Sequence, residues 1–187
     1  MECRKKKWGN FRSHSIFKIP HSSKGFTLIE LLLYVVIFSV LSLSFFYFMQ
    51  SIGEARVKQQ TIAEVEQQGL AAMQTVIQTA RNAENITSPS MGASASSVTL
   101  DVITVADDPT VFDLSGGVLR ITKGTSAAVS LTNSRVTASS LTIQNLSRPS
   151  TPGIIRVQFT LTAVNSTGRS EYLYAKTFIT SAALRKP

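Results

Sequence analysis

A chain of 187 residues with a formal charge of +8 has room for one domain and an anchoring segment rather than two full domains. Its single cysteine, Cys3, and both histidines, His14 and His21, precede Phe26. The rest of the chain therefore has neither thiol nor imidazole, which excludes disulfides, Ser-His-Asp and Cys-His catalysis and the usual zinc ligand sets there.

The charge is just as uneven. Arg4, Lys5, Lys6, Lys7, Arg12, Lys18 and Lys24 stand against Glu2 before Phe26, which leaves +6 there and only +2 for everything after. The basic character belongs to the N-terminal stretch, and the body is close to neutral.

Residues 1–24 are basic, polar and without apolar periodicity, like the n-region of a signal. Residues 31–49 then form an apolar run containing Ser39, Ser42 and Ser44 but no proline, glycine or charge. Its length is close to the roughly 20 residues that span a bilayer. Serines in such a helix bond back to the preceding turn and mark close-packing faces. Residues 50–55 are a poor signal-peptidase site, so the run reads on its own as an uncleaved single-pass anchor. The cations put its N-terminal side in the cytoplasm and the body outside. Glu30 sits at the rim of this run, where an ionisable side chain is costly and marks a functional position.

Residues 54–85 are rich in Gln, Glu and Ala and continue the helix. Ile62, Val65, Gly69, Ala72 or Met73, Val76 and Ala80 recur at spacings of three and four, an amphipathic stripe. Gly69 costs about 1 kcal/mol against alanine in a helix; it is either simply tolerated or marks a close helix contact. The helix should end near Asn85, because Ser88-Pro89 disfavours continuation.

Residues 88–97 are small and polar and read as a linker. Val, Ile, Thr and Ser then dominate, with strands expected at 98–105, 110–114, 118–122, 127–132, 141–146, 154–164 and 171–182, separated by turn-forming clusters. In the sixth, Ile155, Val157, Phe159, Leu161 and Ala163 alternate with Arg156, Gln158, Thr160 and Thr162, so one face is wet and the other buried. The last is apolar on both faces, as expected of a central strand or one covered by the long helix. One antiparallel sheet laid on the stripe of the helix completes a two-layer α+β plan.

Lys24-Gly25-Phe26-Thr27-Leu28-Ile29-Glu30, followed at once by the apolar run, resembles the class III leader of type IV pilins and of the pseudopilins of type II secretion. The resemblance covers residues 24–49 in detail and the rest only in plan. It implies a pilin-like α+β fold: a long N-terminal helix whose first half spans the membrane and whose outer half packs on a C-terminal antiparallel β-sheet head. It implies a cut by a prepilin peptidase between Gly25 and Phe26, N-methylation of the new Phe26 amine, and a role for Glu30 in assembly, facing the N-terminal ammonium of a neighbouring subunit. Glycine suits a cut site, because a backbone without side chains lies close to an enzyme, and monomethylation keeps the amine positive.

The implied layout is a cleaved leader over 1–25, a membrane half of the helix over 26–49, an amphipathic half over 50–87, a linker over 88–97 and a β-rich head over 98–187. The implied partners are other pilins or pseudopilins, the peptidase and an inner-membrane assembly platform. The implied location is the cytoplasmic membrane, N-terminus inside and head outside, and then a periplasmic or extracellular filament. The long leader, Tyr47 where many pilus pilins carry a kinking proline, and the absence of a cysteine pair in the head fit a minor pilin or minor pseudopilin. The resemblance implies a structural subunit and no enzyme or cofactor; the alternative is a filament-tip module whose head recognises DNA, a surface or a secreted substrate. A third reading, an ordinary anchor that is never cut, differs in its N-terminus.

Other constellations are weaker. Asp107, Asp108 and Asp113 offer oxygens of the kind calcium takes, yet without EF-hand spacing, and Asp-Asp-Pro is a common turn. A glycosidase-like carboxylate pair has no other support. Arg120, Arg135, Arg148, Arg156, Arg169, Arg185 and Lys186 are scattered, as on solvated strand faces, whereas phosphate binding needs clustered cations. Three Asn-x-Ser/Thr triplets, at Asn85, Asn145 and Asn165, match a glycosylation pattern by chance, and Gly116-Gly117 is a turn.

Overall fold

In the computed structural model, residues 25–185 are described. Cys3, His14, His21, the cations of the leader and Lys186 lie outside them. The chain divides into two compact units, Met1–Phe46 and Tyr47–Pro187. One helix, α1, runs over Leu28–Arg81. Among the described residues nine strands follow: β1 (Ala83–Ser88), β2 (Ser94–Ala95), β3 (Val98–Val102), β4 (Thr110–Ser115), β5 (Val118–Lys123), β6 (Val129–Ser130), β7 (Val136–Asn145), β8 (Ile154–Ala163) and β9 (Ala175–Ala183).

In the second unit, the buried positions of α1 are Thr61, Val65, Gly69, Ala72, Met73, Val76 and Ala80. This is the expected stripe, except that Thr61 replaces Ile62 as its first member. Thr61 is accommodated because its hydroxyl donates to the Val57 carbonyl one turn back, which satisfies the polar atom inside the helix.

The helix ends four residues before the expected point. The Asn82 N–H still reaches back to the carbonyls of Gln78 and Thr79, but Ala83 is fully buried and opens β1, antiparallel to β3, with Ala83 opposite Val102 and Ile86 opposite Leu100. Strand pairing overrides the helical preference of these residues. The expected linker is likewise not free of pairing: Ser94 and Ala95 lie opposite Gln144 and Ile143.

The head has two antiparallel sheets instead of one. The first has the order β1-β3-β4-β5-β6 and the second β2-β7-β8-β9. Neighbouring strands twist by roughly 20°, so a single nine-stranded sheet would turn away from a straight helix, whereas two smaller ones both keep an apolar face on it. Leu100, Phe112, Leu119 and Ile121 from the first sheet and Ile143, Val157, Phe159, Leu161 and Phe178 from the second join Val65, Ala72, Met73, Val76 and Ala80 in one core. Each such large side chain contributes about 1.5–3 kcal/mol when fully buried. Phe159 and Phe178 stack with centroids 5.6 Å apart.

β8 buries the face expected of it, Ile155 to Ala163. β7 starts earlier than expected, at Val136, because a bulge between Ser139 and Thr142 interrupts its alternation; Ser140 there has φ 54°. β9 is an edge strand rather than a central one. Phe178 and Ala182 face the core, while Ile179 is 57% exposed. Glu171 and Tyr172, expected in this strand, lie instead in a 3-10 turn over Ser170–Tyr172.

Candidate functional site

The first unit carries the residues singled out at Gly25–Glu30. Thr27 caps the helix: Leu31 N–H donates to the Thr27 carbonyl at 3.1 Å, and Glu30 N–H donates to Thr27 Oγ1 at 3.3 Å. Thr27 and Glu30 thus have the spacing of a capping box, a signal that the sequence carries openly and that explains why a helix starts here. A carboxylate in the first turn is favoured by the helix dipole as well.

Glu30 is the one residue from 25 to 41 that is not exposed. Its carboxylate oxygen Oε1 accepts the Tyr34 hydroxyl at 3.4 Å. The Phe26 ring meets the Tyr34 ring edge to face, with centroids 6.1 Å apart and planes at 74°. Glu30 and Tyr34 therefore share one face of α1, and the ring of Phe26, ahead of the cap, packs against Tyr34 on that face. A Cβ built on Gly25 would meet nothing within 4 Å, so no packing inside the chain requires glycine there.

Beyond Glu30, Leu31 to Phe38 and Val40 to Met49 leave their large apolar side chains 46–73% exposed. The helix contains an 18-residue window of mean hydropathy 2.4 and is long and apolar enough to cross a membrane. Ser39 donates back to the Val35 carbonyl at 2.7 Å.

The acidic residues of the head serve separate contacts. Asp107 Oδ2 accepts from Lys123 Nζ at 2.8 Å. Asp108 Oδ1 accepts the Val102 N–H at 3.3 Å. Asp113 pairs across β4 and β5 with Arg120. Among the described residues no three His, Cys, Asp or Glu side chains group as a metal site.

The cations of the head are dispersed too. Arg135 lies 3.9 Å from Glu64, and Lys176 Nζ donates to Glu66 Oε1 at 2.6 Å. Arg169 pairs with Glu171 at 2.7 Å. That hydrogen bond, followed by one from the backbone of Glu171, holds the carboxyl of Glu171 below its usual range against the opposing effect of burial.

Of the Asn-x-Ser/Thr triplets, Asn145 is 2% exposed, and its amide donates to the Pro89 carbonyl at 2.7 Å. A groove of about 740 Å3 runs beside Thr61, Glu64, Arg135 and Tyr172. It has no nucleophile–base pair, and its one close charge pair is Arg135–Glu64.

One long N-terminal helix followed by antiparallel sheets defines a pilin-like α+β architecture. The prokaryotic N-terminal methylation motif matches residues 20–46, and this match supports the type IV pilin and pseudopilin family and a type IV pilin-like precursor. No curated protein and no solved structure matches the chain. The motif implies assembly with other pilins and association with a membrane, and the apolar helix is consistent with anchoring in the inner membrane. Proteins of this family are in general structural.

Proposed function

We propose that the chain is the precursor of a structural filament subunit, a minor pilin or pseudopilin, that is cut after Gly25, methylated on the Phe26 amine and assembled through Glu30. The observation that carries this reading is the methylation motif over residues 20–46 with Phe26 and Glu30 both in contact with Tyr34. Hydrolysis of the Gly25–Phe26 amide leaves a carboxylate on Gly25 and an ammonium on Phe26. The peptidase reaches a backbone with no side chain on one flank.

Before assembly, lipid surrounds residues 31–49. In the filament, helices of other subunits take its place. An ion pair between Glu30 and the Phe26 ammonium of another subunit lies in a low-dielectric setting. There, leaving either charge alone costs several kcal/mol, so the pair works mainly as a register device. On this reading residues 1–25 are the leader, 26–49 the membrane half of α1, and the residues beyond project outside the cytoplasm. The cysteine-free body and the proline-free apolar run, with Tyr47 where many pilus pilins carry proline, favour a minor subunit over a major pilin.

Mass spectrometry of the chain extracted from membranes of its native host tests the reading. A mature N-terminus at methyl-Phe26 is the expected result. An intact leader beginning at Met1 rejects it.

A further inference from the structure

We propose that Tyr34 is a positioning residue for Glu30 and Phe26. Its hydroxyl holds one oxygen of the Glu30 carboxylate, its ring holds the Phe26 side chain, and the other carboxylate oxygen is left for the ammonium of another subunit. The inference rests on the assembly reading of Glu30 and adds a residue to it.

The geometry follows from helix periodicity. Glu30 and Tyr34 are four apart in α1, so they stack on one face, and Phe26, just ahead of the Thr27 cap, sets its ring edge to face against that of Tyr34. Helical side chains lean toward the N-terminus, which lays the Tyr34 ring over the turn that holds Glu30. The contacts agree: Tyr34 Oη donates to Glu30 Oε1 at 3.4 Å, the Phe26 ring meets the Tyr34 ring at 6.1 Å, and Glu30 alone in residues 25–41 is shielded.

Tyr34 lies about 6 Å further along the helix axis than Glu30, on the apolar side. In lipid or among the helices of a filament, a carboxylate oxygen turned that way is away from water, and an unmade hydrogen bond there is expensive. The phenol supplies a donor on that side. It also satisfies its own hydroxyl, which would otherwise be stranded in the apolar run. Fixing one oxygen narrows the carboxylate to few orientations, so less conformational freedom is lost when the incoming ammonium binds.

Tyr34→Phe separates the hydroxyl from the ring. The first measurement is the carboxylate stretching band of Glu30 in the full chain reconstituted in lipid vesicles, isolated as the difference from Glu30→Gln. Loss of the donor shifts that band in Tyr34→Phe, whereas a residue that only fills space leaves it in place. The second is incorporation into filaments in the native host, scored by cross-linking, with the N-terminus checked by mass spectrometry. Tyr34→Phe is expected to be cut and methylated normally but incorporated about ten-fold less, the scale of a lost hydrogen bond to a charged group. Tyr34→Ala falls further, because Phe26 loses its contact as well. An unmoved band, or wild-type incorporation of Tyr34→Phe where Glu30→Ala fails, overturns the proposal. Wild-type incorporation of Glu30→Ala overturns the assembly reading itself, and this proposal with it.

Discussion

The ring of Phe178 occupies the space that a β-carbon on Gly69 would need. Its Cζ, Cε1 and Cε2 atoms all lie inside contact distance of that position. A glycine in mid-helix is thus what lets β9, an edge strand, seat an aromatic ring on α1. The same ring stacks on Phe159 of β8, so one missing methyl group connects the helix to two strands.

Gly69→Ala is expected to destabilise the head. Overpacking costs about 1–3 kcal/mol, and the better helix propensity of alanine returns about 1 kcal/mol. Urea unfolding of the detergent-solubilised chain measures the net loss. In a Phe178→Leu background the same change should become neutral or stabilising, and the double-mutant cycle reports the coupling. A cycle with no coupling would show that the ring moves aside freely.

The Glu66–Lys176 pair gives the head a pH dependence with two limbs. The hydrogen bond from Lys176 and then its Coulomb attraction hold the Glu66 carboxyl below the ordinary 4.5. The hydrogen bond to Glu66 is likewise the largest influence raising Lys176 above 10.5. A lowered carboxyl adds stability that is present above 4.5 and is lost as pH falls through its folded value; a raised amine adds stability that is present below 10.5 and is lost as pH rises through its folded value. Stability should therefore be highest between these limits. Lys176→Met should remove the part of the acid limb that Glu66 contributes, and so should salt of about 1 M, because the two side chains are 40% and 42% exposed and exposed pairs are screened. Thermal unfolding across pH reads both, and an acid limb identical in the variant would refute the assignment.

Asn145 ties the turn after β7 to the segment around Pro89. Its amide donates to the Pro89 carbonyl, and its oxygen accepts from the N–H and hydroxyl of Ser147. Asn145→Ala leaves buried polar groups unpaired and should cost about 1–3 kcal/mol. The loss should be seen as a lower urea midpoint at unchanged slope. Because the side chain is buried, no glycan should be found on this triplet in the folded protein, which peptide mass spectrometry checks.

Glu30→Ala should leave membrane insertion and the cut after Gly25 intact. Incorporation into filaments should fall by at least about 100-fold, since an unpartnered ammonium in an apolar setting costs several kcal/mol. Carbonate extraction, N-terminal mass and cross-linking in the native host separate the three steps. Normal incorporation would remove Glu30 from the assembly step.

The elements with a short internal period were legible in the amino-acid order alone. The stripe of α1 repeats every three or four residues, β8 alternates strictly, and the Gly25–Glu30 motif spans less than two helical turns. Thr27 and Tyr34 were within the same reach, four residues or fewer from Glu30, but a tyrosine in an apolar run gives no signal until its hydroxyl has a partner. What the order of residues did not show were features set by distant partners. Arg81 ends the helix because Ala83 pairs with Val102, β2 exists because Ser94 and Ala95 find β7, and β7 starts at Val136 because a bulge resets its alternation. The division into two sheets, the edge position of β9 and the meaning of Gly69 belong to this second group. Local periodicity is written in neighbouring residues, whereas pairing and close approach are decided only when segments far apart in the chain compete for the same buried face.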